Sequence, residues 1–336
     1  MRIFRFGAIT LLIILSVICF GYLVSKSSTQ TSSLSEESFA PILETPQSTP
    51  ETSKNITLLF AGDVMLDRNI RLAAEKADYD SLIGPQLKNL LKTADSVIVN
   101  LEGPITSNQS LSVGSEVGSS RNFLFTFSPE STQFLLNHSI SLVNLGNNHI
   151  LNFGQPGLNE TYQLLDQAGI QYFGYTGVEQ PAEKFTTTKT IDGYTFGFVN
   201  YNQFIWEGES QVFVDIEKLR SQVDYLIVYT HWGNEYVPEN QVLKSLAHRF
   251  VDTGADLVIG SHPHIITGNE VYKGKHIYYS LGNFIFDQYF EPAVQKGLVI
   301  EATINPLNGE TAIQEHRVII SKTGQTELET AASIKK

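Results

Sequence analysis

The sequence has very little cysteine and no excess of positive charge. Its only cysteine, Cys19, lies in an apolar N-terminal segment, so the rest of the chain can form neither a disulfide framework nor a thiolate metal site. The 23 Lys and Arg against 35 Asp and Glu give a net charge of -12, and no overall basic field attracts nucleic acid. We therefore expect no nucleic-acid partner. An anionic substrate would need a local cluster of cations or a metal ion.

Charged residues are also few, at 17% of the 336 residues, whereas hydrophobic residues make up 42%. This composition excludes a largely disordered chain and predicts a globular protein with a substantial core. The length accommodates one large domain or two ordinary ones.

The N-terminal segment has the pattern of a membrane anchor. Residues 6–24 are nearly all apolar, and Arg2 and Arg5 precede them, so the length and flanks fit one spanning helix with a cytoplasmic N-terminus. No small-residue cleavage site follows, which favours an uncleaved signal anchor over a cleaved signal peptide. We predict a single-pass membrane protein with a cytoplasmic stub and anchor over residues 1–26 and an extracytoplasmic main domain.

Residues 27–55 are rich in Ser, Thr, Pro and Glu and have almost no apolar periodicity, so we expect a disordered linker. The folded domain is predicted over residues 56–336. Strand-like runs at residues 56–61, 96–101, 140–145, 194–201, 225–230 and 257–259 alternate with helical patterns at 68–76, 155–168 and 239–253. A β-rich tail follows residue 265, with turns at Lys273-Gly274 and Asn308-Gly309.

Two irregular stretches interrupt this alternation. Residues 107–120 are polar and rich in Ser and Gly, which predicts a mobile surface loop, and Ser128-Pro129 has the form of a helix start. The alternation as a whole predicts an α/β domain built around a layered sheet.

Polar side chains follow the ends of the predicted strands, next to glycines. In α/β sheets, ligands bind outside the carboxyl ends of the strands. Taken singly, a residue of this kind is more often part of a turn, a cap or the packed core than a metal ligand, but the recurrence of such residues at five strand ends predicts one shared metal site. The set comprises Asp63, Glu102, Asn148, His149, His231, His262 and His264.

The remaining histidines lie away from these positions. His138, His276 and His316 are predicted to be structural, and His248 is predicted to face outward from its helix. Oxygen and imidazole donors without thiolate favour one or two divalent transition ions such as Mn, Fe or Zn. Such ions polarise phosphoryl or carbonyl oxygens and lower the pKa of bound water.

Taken in order, the motifs resemble those of the CapA family of poly-γ-glutamate capsule synthesis proteins, a family similar to the calcineurin-like metallophosphoesterases. The resemblance runs from about residue 56 to 304 and implies a four-layer α-β-β-α sandwich. The segments that carry it are Phe60-Ala-Gly-Asp63, Asn100-Leu-Glu102-Gly-Pro, Asn147-Asn-His149, His231-Trp-Gly-Asn-Glu235, Gly254-Ala-Asp-Leu-Val-Ile-Gly-Ser-His262-Pro-His264 and Tyr279-Ser-Leu-Gly-Asn283-Phe.

The resemblance implies that Asp63 and His264 bind one metal and that Glu102 bridges two. It implies that Asn148, His231 and His262 bind the second metal. His149, beside Asn148, would then be the catalytic acid or a group that stabilises charge on the substrate.

Three further residues are candidates for contacts with a substrate phosphate or carboxylate: Arg68, Arg121 and Asn283. Two positions depart from the family pattern. Met65 stands where metallophosphoesterases usually have a histidine, and Asn152 stands where CapA-like chains commonly have an aspartate. Both departures make a reduced or single-metal site conceivable, unless Asp67 or another group supplies the lost ligand.

Two functions follow from the resemblance. The first is a membrane-anchored, metal-dependent hydrolase or transferase of the phosphoesterase type, acting on an anionic envelope polymer or its phosphorylated precursor. The alternative is a non-catalytic subunit that binds polymer and contacts other membrane subunits of a capsule synthesis and export complex. A metal-free receptor or carbohydrate-binding module would require the strand-end pattern to be accidental.

Overall fold

The computed structural model describes residues 54–178 and 180–330. The predicted anchor and all but the last two residues of the predicted linker lie outside the described residues. Among the residues it describes, the structure has no helix that is both long and apolar enough to cross a membrane.

The described residues contain fourteen strands and six α-helices. The strands are β1 Ile56–Val64, β2 Ser96–Leu101, β3 Ile140–Asn144, β4 Gln171–Phe173, β5 Thr186–Ile191, β6 Tyr194–Asn202, β7 Tyr225–His231, β8 Leu257–Ser261, β9 Asn269–Tyr272, β10 Lys275–Tyr278, β11 Asn283–Ile285, β12 Lys296–Ile304, β13 Thr311–Ile320 and β14 Thr326–Leu328. The helices are α1 Arg68–Ala77, α2 Pro85–Leu91, α3 Ser131–Asn137, α4 Gly154–Ala168, α5 Gly208–Arg220 and α6 Gln241–Thr253.

The strands form two mixed sheets. The first has the order β14-β13-β12-β1-β2-β3-β4, with β11 also paired to β1, and the second has the order β5-β6-β7-β8-β10-β9. The central strands β1, β2 and β3 run parallel, as do β6, β7 and β8. The α/β architecture expected from the alternation is confirmed.

Strand β1 shows why the two sheets stack. Leu58 and Phe60 face a core shared by both sheets, whereas Leu59 and Ala61 face a second core formed with the helices. Because both faces of the strand are buried, nearly all of its side chains are apolar and do not alternate with polar ones. Each large side chain buried this way contributes about 1.5–3 kcal/mol. A third core joins the second sheet to α5 and α6, so the layers follow the order helices, sheet, sheet, helices.

Parallel register brings polar residues into rows. In the first sheet, Asn283, Asp63, Asn100 and Asn144 are direct neighbours across β11, β1, β2 and β3. The approach of β11 to β1 requires glycine, because a Cβ at Gly62 would lie 1.8 Å from a backbone oxygen of the facing turn.

A second row, of Asn202, His231 and Ser261, crosses β6, β7 and β8. Both rows lie at the carboxyl ends of the parallel strands, which is where the sequence predicts the site.

Several predicted boundaries need correction. Strand β1 continues three residues beyond the predicted end, so Asp63 lies within it. Helix α3 begins at Ser131 and not at Ser128-Pro129, which form a turn ahead of it. The sequence pattern also missed α2, α5, β4 and β5. The loop predicted at residues 107–120 is present, but Ser112 within it is buried and donates a hydrogen bond to Asp67.

Candidate metal centre

Five buried donors from both sheets converge at one place. Asp63 and Glu102 come from the first sheet, and His231, His262 and His264 come from the second. Ligand atoms of Glu102, His262 and His264 lie within 4.8 Å of one another, and so do those of Asp63, Glu102 and His231. Glu102 belongs to both groups, the position expected of a bridging carboxylate.

The two carboxylates have different surroundings. Asp63 Oδ1 accepts a hydrogen bond from Asn100 Nδ2 at 2.7 Å, and Oδ2 accepts one from the His262 backbone N–H at 3.1 Å. Burial raises the pKa of Asp63, but the hydrogen bond and charge of His264 and the other donors outweigh it and hold that pKa below its ordinary value.

Burial, followed by the negative charge of Asp63, raises the pKa of Glu102 well above its ordinary value. Glu102 Oε1 is buried and has no hydrogen-bond partner among the described residues.

His264 presents a bare nitrogen to Glu102. Asn283 Nδ2 donates to the Val294 carbonyl at 2.9 Å and to Gln288 at 3.1 Å, so its Oδ1 must accept from His264 Nδ1 at 2.9 Å. The other ring nitrogen of His264, Nε2, faces Glu102 Oε1 at 3.6 Å. An imidazole nitrogen and a carboxylate oxygen placed in this way could hold a cation between them. Asn283 is buried and occupied here, which favours a positioning role over the predicted substrate contact.

His231 is held in a similar way. Ser261 Oγ donates to the Thr230 carbonyl at 2.7 Å, and its lone pair can accept from His231 Nδ1 at 3.1 Å. His231 Nε2 then lies 2.9 Å from Asn148 Oδ1, so both predicted ligands present donor atoms to the same point. His262 Nδ1 is buried and has no partner among the described residues.

Burial favours the neutral form of His231 and His262, which is the form that binds metals. It lowers the pKa of His231 well below its usual range, with the charge of His262 as the next cause. It lowers the pKa of His262 to about 3, with the charge of His264 as the next cause. Metal bonds of about 2.0–2.2 Å place donor atoms roughly 3–4 Å apart, so small side-chain movements would close this set around an ion. The donors fit a divalent metal.

His149 approaches the same carboxylate oxygen. Its ring lies 4.3 Å from that of Phe125, and its Nε2 is 3.9 Å from Glu102 Oε1. Asn152 Oδ1 accepts the Phe125 N–H at 2.8 Å and therefore also accepts from His149 Nδ1 at 3.1 Å. Burial lowers the pKa of His149 to about 4. A neutral amide thus occupies the place of the aspartate found in CapA-like chains.

Arg68 is the cation beside this centre. Its guanidinium pairs with Asp287 and lies 5.1 and 5.4 Å from the ring centroids of Phe125 and Phe286. Phe125 also contacts His149, and Phe286 contacts His264 at 4.7 Å.

Arg68 Nε is buried and has no partner among the described residues, so it remains a donor for an oxygen ligand. The other predicted arginine, Arg121, is exposed, and its neighbour Asn122 contacts Arg68 instead.

Asp67 does not replace the ligand lost at Met65. Its two oxygens accept hydrogen bonds from Arg71 Nε at 3.0 Å, Ser112 Oγ at 2.8 Å and the Thr126 N–H at 2.9 Å. Met65 is itself buried, and its sulfur accepts the Asp67 N–H at 3.1 Å. Both residues therefore stabilise the loop and α1, and neither belongs to the converging donors.

Sequence reasoning missed the aromatic residues around the centre. The Phe204 ring lies 4.5 Å from that of His262, and the Tyr236 ring lies 6.2 Å from that of His264. Both aromatic residues are partly exposed, at 46% and 36%. No sequence pattern singled them out, because each lies in a loop without periodicity.

Backbone conformation marks the same region. His262, His264, Tyr236 and Arg68 have φ values of 96°, 58°, 62° and 51°, in the left-handed region that non-glycine residues rarely adopt. Residues held in this way cluster at functional sites.

Comparisons with known proteins identify similar chains. The PGA biosynthesis protein CapA of Bacillus subtilis is 26% identical over 260 residues, which cover 73% of this chain and 67% of the relative. The capsule biosynthesis protein CapA of Bacillus anthracis is 27% identical over 274 residues, covering 74% and 64% respectively. The chain thus spans about two thirds of the length of these relatives.

A solved structure, of a hypothetical protein from Thermus thermophilus, is similar in fold. It has a TM-score of 0.50 at 17% identity and covers 78% of this chain and 98% of its own. The model of the bacterial capsule synthesis protein family PGA_cap matches residues 57–288, which include all five converging donors. The chain belongs to the bacterial capsule synthesis protein family PGA_cap.

Proposed function

We propose that this protein is a metal-dependent hydrolase or transferase of the phosphoesterase type in the synthesis of a poly-γ-glutamate capsule or a related envelope polymer. The substrate would be the anionic polymer or a phosphorylated precursor. The observation that carries this proposal is the buried pair of Glu102 Oε1 and His264 Nε2, 3.6 Å apart and within a group of converging metal-binding side chains.

Buried polar atoms without partners are costly, at about 1–3 kcal/mol each. A cation bound between Glu102 and His264 would relieve this cost. Asp63, Glu102, Asn148, His231, His262 and His264 would hold one or two ions of Mn, Fe or Zn. A bound ion of this kind polarises a phosphoryl or carbonyl oxygen and lowers the pKa of bound water.

The remaining residues have roles of their own. His149 Nε2 faces the centre, and the Asn152 contact fixes its Nδ1 as the protonated nitrogen, so proton exchange with a reacting oxygen would occur at Nε2. Arg68, with its unpartnered Nε–H, would bind an anionic oxygen of the substrate. Phe125 and Phe286 keep the guanidinium next to His149 and His264.

A second candidate function is a polymer-binding or export subunit without turnover. Met65 favours it, because a thioether buried against the Asp67 backbone replaces a metal ligand. Asn152 also favours it, because an uncharged amide stabilises a protonated His149 less than a carboxylate would.

We also propose an exported, membrane-anchored location, with residues 1–26 as the anchor and other membrane subunits of a capsule synthesis complex as partners. The support is the apolar run of residues 6–24 with Arg2 and Arg5 before it. The main domain would then lie outside the cytoplasm. We propose that its fold is of the metallophosphoesterase type.

The first test is metal content. The full-length protein, purified without chelator or nickel affinity, is expected to contain one or two transition ions per chain by mass spectrometry. It should then hydrolyse a phosphodiester substrate or polyglutamate. An empty protein that takes up neither Mn nor Zn would overturn the enzyme assignment. Bound metal without turnover of any such substrate would favour the binding subunit.

A further inference from the structure

A single buried carboxamide touches three of the five converging donors. Asn100 Nδ2 lies 2.7 Å from Asp63 Oδ1, 3.2 Å from His231 Nδ1 and 3.5 Å from Glu102 Oε2. Asn100 is fully buried near the end of β2, where it is the register neighbour of Asp63. It therefore contacts ligands from both sheets.

The orientation of this amide is fixed by two hydrogen bonds to its oxygen. Asn100 Oδ1 accepts hydrogen bonds from Asn144 Nδ2 at 3.0 Å and Asn147 Nδ2 at 3.2 Å. Since its oxygen holds two N–H donors, the NH2 group must point at the carboxylates. Asn147 also donates to the Leu101 carbonyl at 2.9 Å, and its Oδ1 accepts the His149 N–H at 3.1 Å. A chain of carboxamides thus connects Asp63 to the backbone of His149.

We propose that Asn100 is a positioning residue that holds Asp63 and Glu102 in the geometry a metal requires, with its amide packed against His231. This inference rests on the metal centre of the proposed function. Two buried carboxylates side by side repel each other, and an N–H donor between them offsets that repulsion while fixing the rotamer of each. Groups that orient metal ligands in this way typically change metal affinity by about 10–100-fold when they are removed.

The competing explanation is that Asn100 only satisfies polar atoms in a buried layer. The chain offers a matched comparison in Asn200 on β6, which is also buried. Its carboxamide donates to the carbonyls of Gly146 at 3.2 Å and Tyr229 at 3.3 Å and accepts the Tyr175 N–H at 3.2 Å. All three partners are backbone groups, so its loss removes a similar number of buried hydrogen bonds without touching a donor of the centre.

The experiment compares Asn100→Leu, Asn144→Leu and Asn200→Leu with the wild type, each as the full-length protein. Affinities for Mn(II) and Zn(II) are measured by competition with a chelator, and the Co(II)-loaded proteins are compared by absorption spectroscopy. Thermal unfolding of the metal-free proteins reports the purely structural cost. A change in the Co(II) spectrum is a readout that a merely structural role would not move.

We expect Asn100→Leu to bind metal about 10–100-fold more weakly, with an altered Co(II) spectrum. Asn144→Leu, which leaves Asn100 with one of its two anchors, should lose less affinity. Asn200→Leu should keep the wild-type affinity and spectrum although it melts earlier.

Wild-type affinity in a folded Asn100→Leu protein would overturn the positioning role. If that variant does not fold, an Asn144→Leu affinity equal to that of Asn200→Leu would overturn it. A wild-type protein that binds no metal would instead overturn the proposed function on which this role rests.

Discussion

Glu102 is approached by two imidazoles that we expect to act differently. His264 Nε2 lies 3.6 Å from Glu102 Oε1, and its Nδ1 is occupied by Asn283. His149 Nε2 lies 3.9 Å from the same oxygen, and its ring packs on Phe125 at the edge of the centre. The first arrangement is that of a ligand, and the second is that of a group that we expect to act on a substrate.

Glu102→Gln and His264→Ala should therefore each lose bound metal, because each removes one acceptor of the buried pair. His149→Ala should keep its metal and lose about 10²–10⁴-fold in turnover, the usual contribution of a general acid or base. Metal analysis and a phosphodiester assay on the same preparations distinguish these outcomes.

The matched control is His316→Ala. This histidine pairs with Glu301 at 2.7 Å between β12 and β13, away from the centre, and its loss should change neither property. Full metal content in both ligand variants would show that the converging donors are not the binding site.

A second prediction concerns Asp215, a buried carboxyl on α5. Its Oδ1 accepts from Gln211 at 2.9 Å, whereas Oδ2 has no partner among the described residues, and burial raises the pKa to about 6. The folded state then binds this proton more tightly than the unfolded state. Stability should fall as the pH rises from about 4 to about 6 and stay reduced above it.

Asp215→Asn should remove this loss, raising the free energy of unfolding at pH 7.5 by on the order of 1–3 kcal/mol and changing it little at pH 4. Urea denaturation at both pH values measures the difference. Glu217→Gln, an exposed carboxyl on the same helix, is the control and should show no such pH dependence. Equal effects of Asp215→Asn at pH 4 and pH 7.5 would contradict the assignment.

The donors at strand ends could be predicted from the sequence because they follow apolar runs, and most of them lie within two residues of a glycine. The role of Asn100 could not be predicted from the sequence. Asn100 lies inside a strand, and the residues that it contacts are far away along the chain, Asp63 by 37 residues and His231 by 131. Long-range contacts of this kind depend on how strands pair, and one sequence does not contain that information.

At the scale of elements, one buried carboxylate connects α1 to the loop over residues 107–126. Asp67 accepts hydrogen bonds from Arg71 on the helix and from Ser112 and Thr126 in the loop. The same loop leads into Phe125, on which His149 packs. The polar composition predicted a mobile loop, but the hydrogen bonds to Asp67 give it a fixed attachment.

Asp67→Asn should therefore loosen the loop without emptying the metal centre. The change removes the charge that pairs with Arg71, so we expect faster backbone hydrogen exchange across residues 107–126, an unfolding free energy lower by about 3–5 kcal/mol and unchanged metal content. Hydrogen exchange measured by mass spectrometry resolves the segment. Loss of metal with normal exchange would instead make Asp67 the substitute ligand for Met65.

Element boundaries followed local signals where those signals were strong. Helix α6 begins after Asn240, whose side chain accepts the N–H groups of Val242 and Leu243, close to the predicted start. Helix α3 begins later than predicted because Ser128 and Pro129 form a turn, in which the Ser128 carbonyl accepts the Ser131 N–H. A Ser-Pro pair fits both a turn and a helix start, and only the packing of α3 against α4 and β3 decides between them.

For the whole molecule, the centre joins two sheets that also share an apolar core. Asp63 and Glu102 belong to one sheet, and His231 and the His262–His264 turn belong to the other. Metal bound by both sets would stabilise the folded state relative to the unfolded one.

We expect Mn(II) or Zn(II) at 100 times the dissociation constant to add about 2.7 kcal/mol to the unfolding free energy, and a chelator to remove it. Thermal unfolding with and without metal measures the effect. Glu102→Gln should show no shift with metal, and a shift of wild-type size in that variant would place the stabilising ion elsewhere.

The α/β class and the order of motifs were predictable from the sequence, because periodicity and spacing are local. The pairing of β12 between β1 and β13 was not, since the tail read only as successive strands. The distances between donors from different sheets could not be predicted either, because they depend on how the two sheets stack.

The two-sheet origin of the donors also sets an order of events. The His262 N–H reaches Asp63 across 199 residues, and Arg68 reaches Asp287 across 219. Contacts of such separation form late in folding. A complete ligand set would therefore not exist on a partly folded chain, and an ion would be taken from the solution that surrounds the protein when the two sheets come together. The compartment in which folding finishes would then select the metal as much as the donor chemistry does.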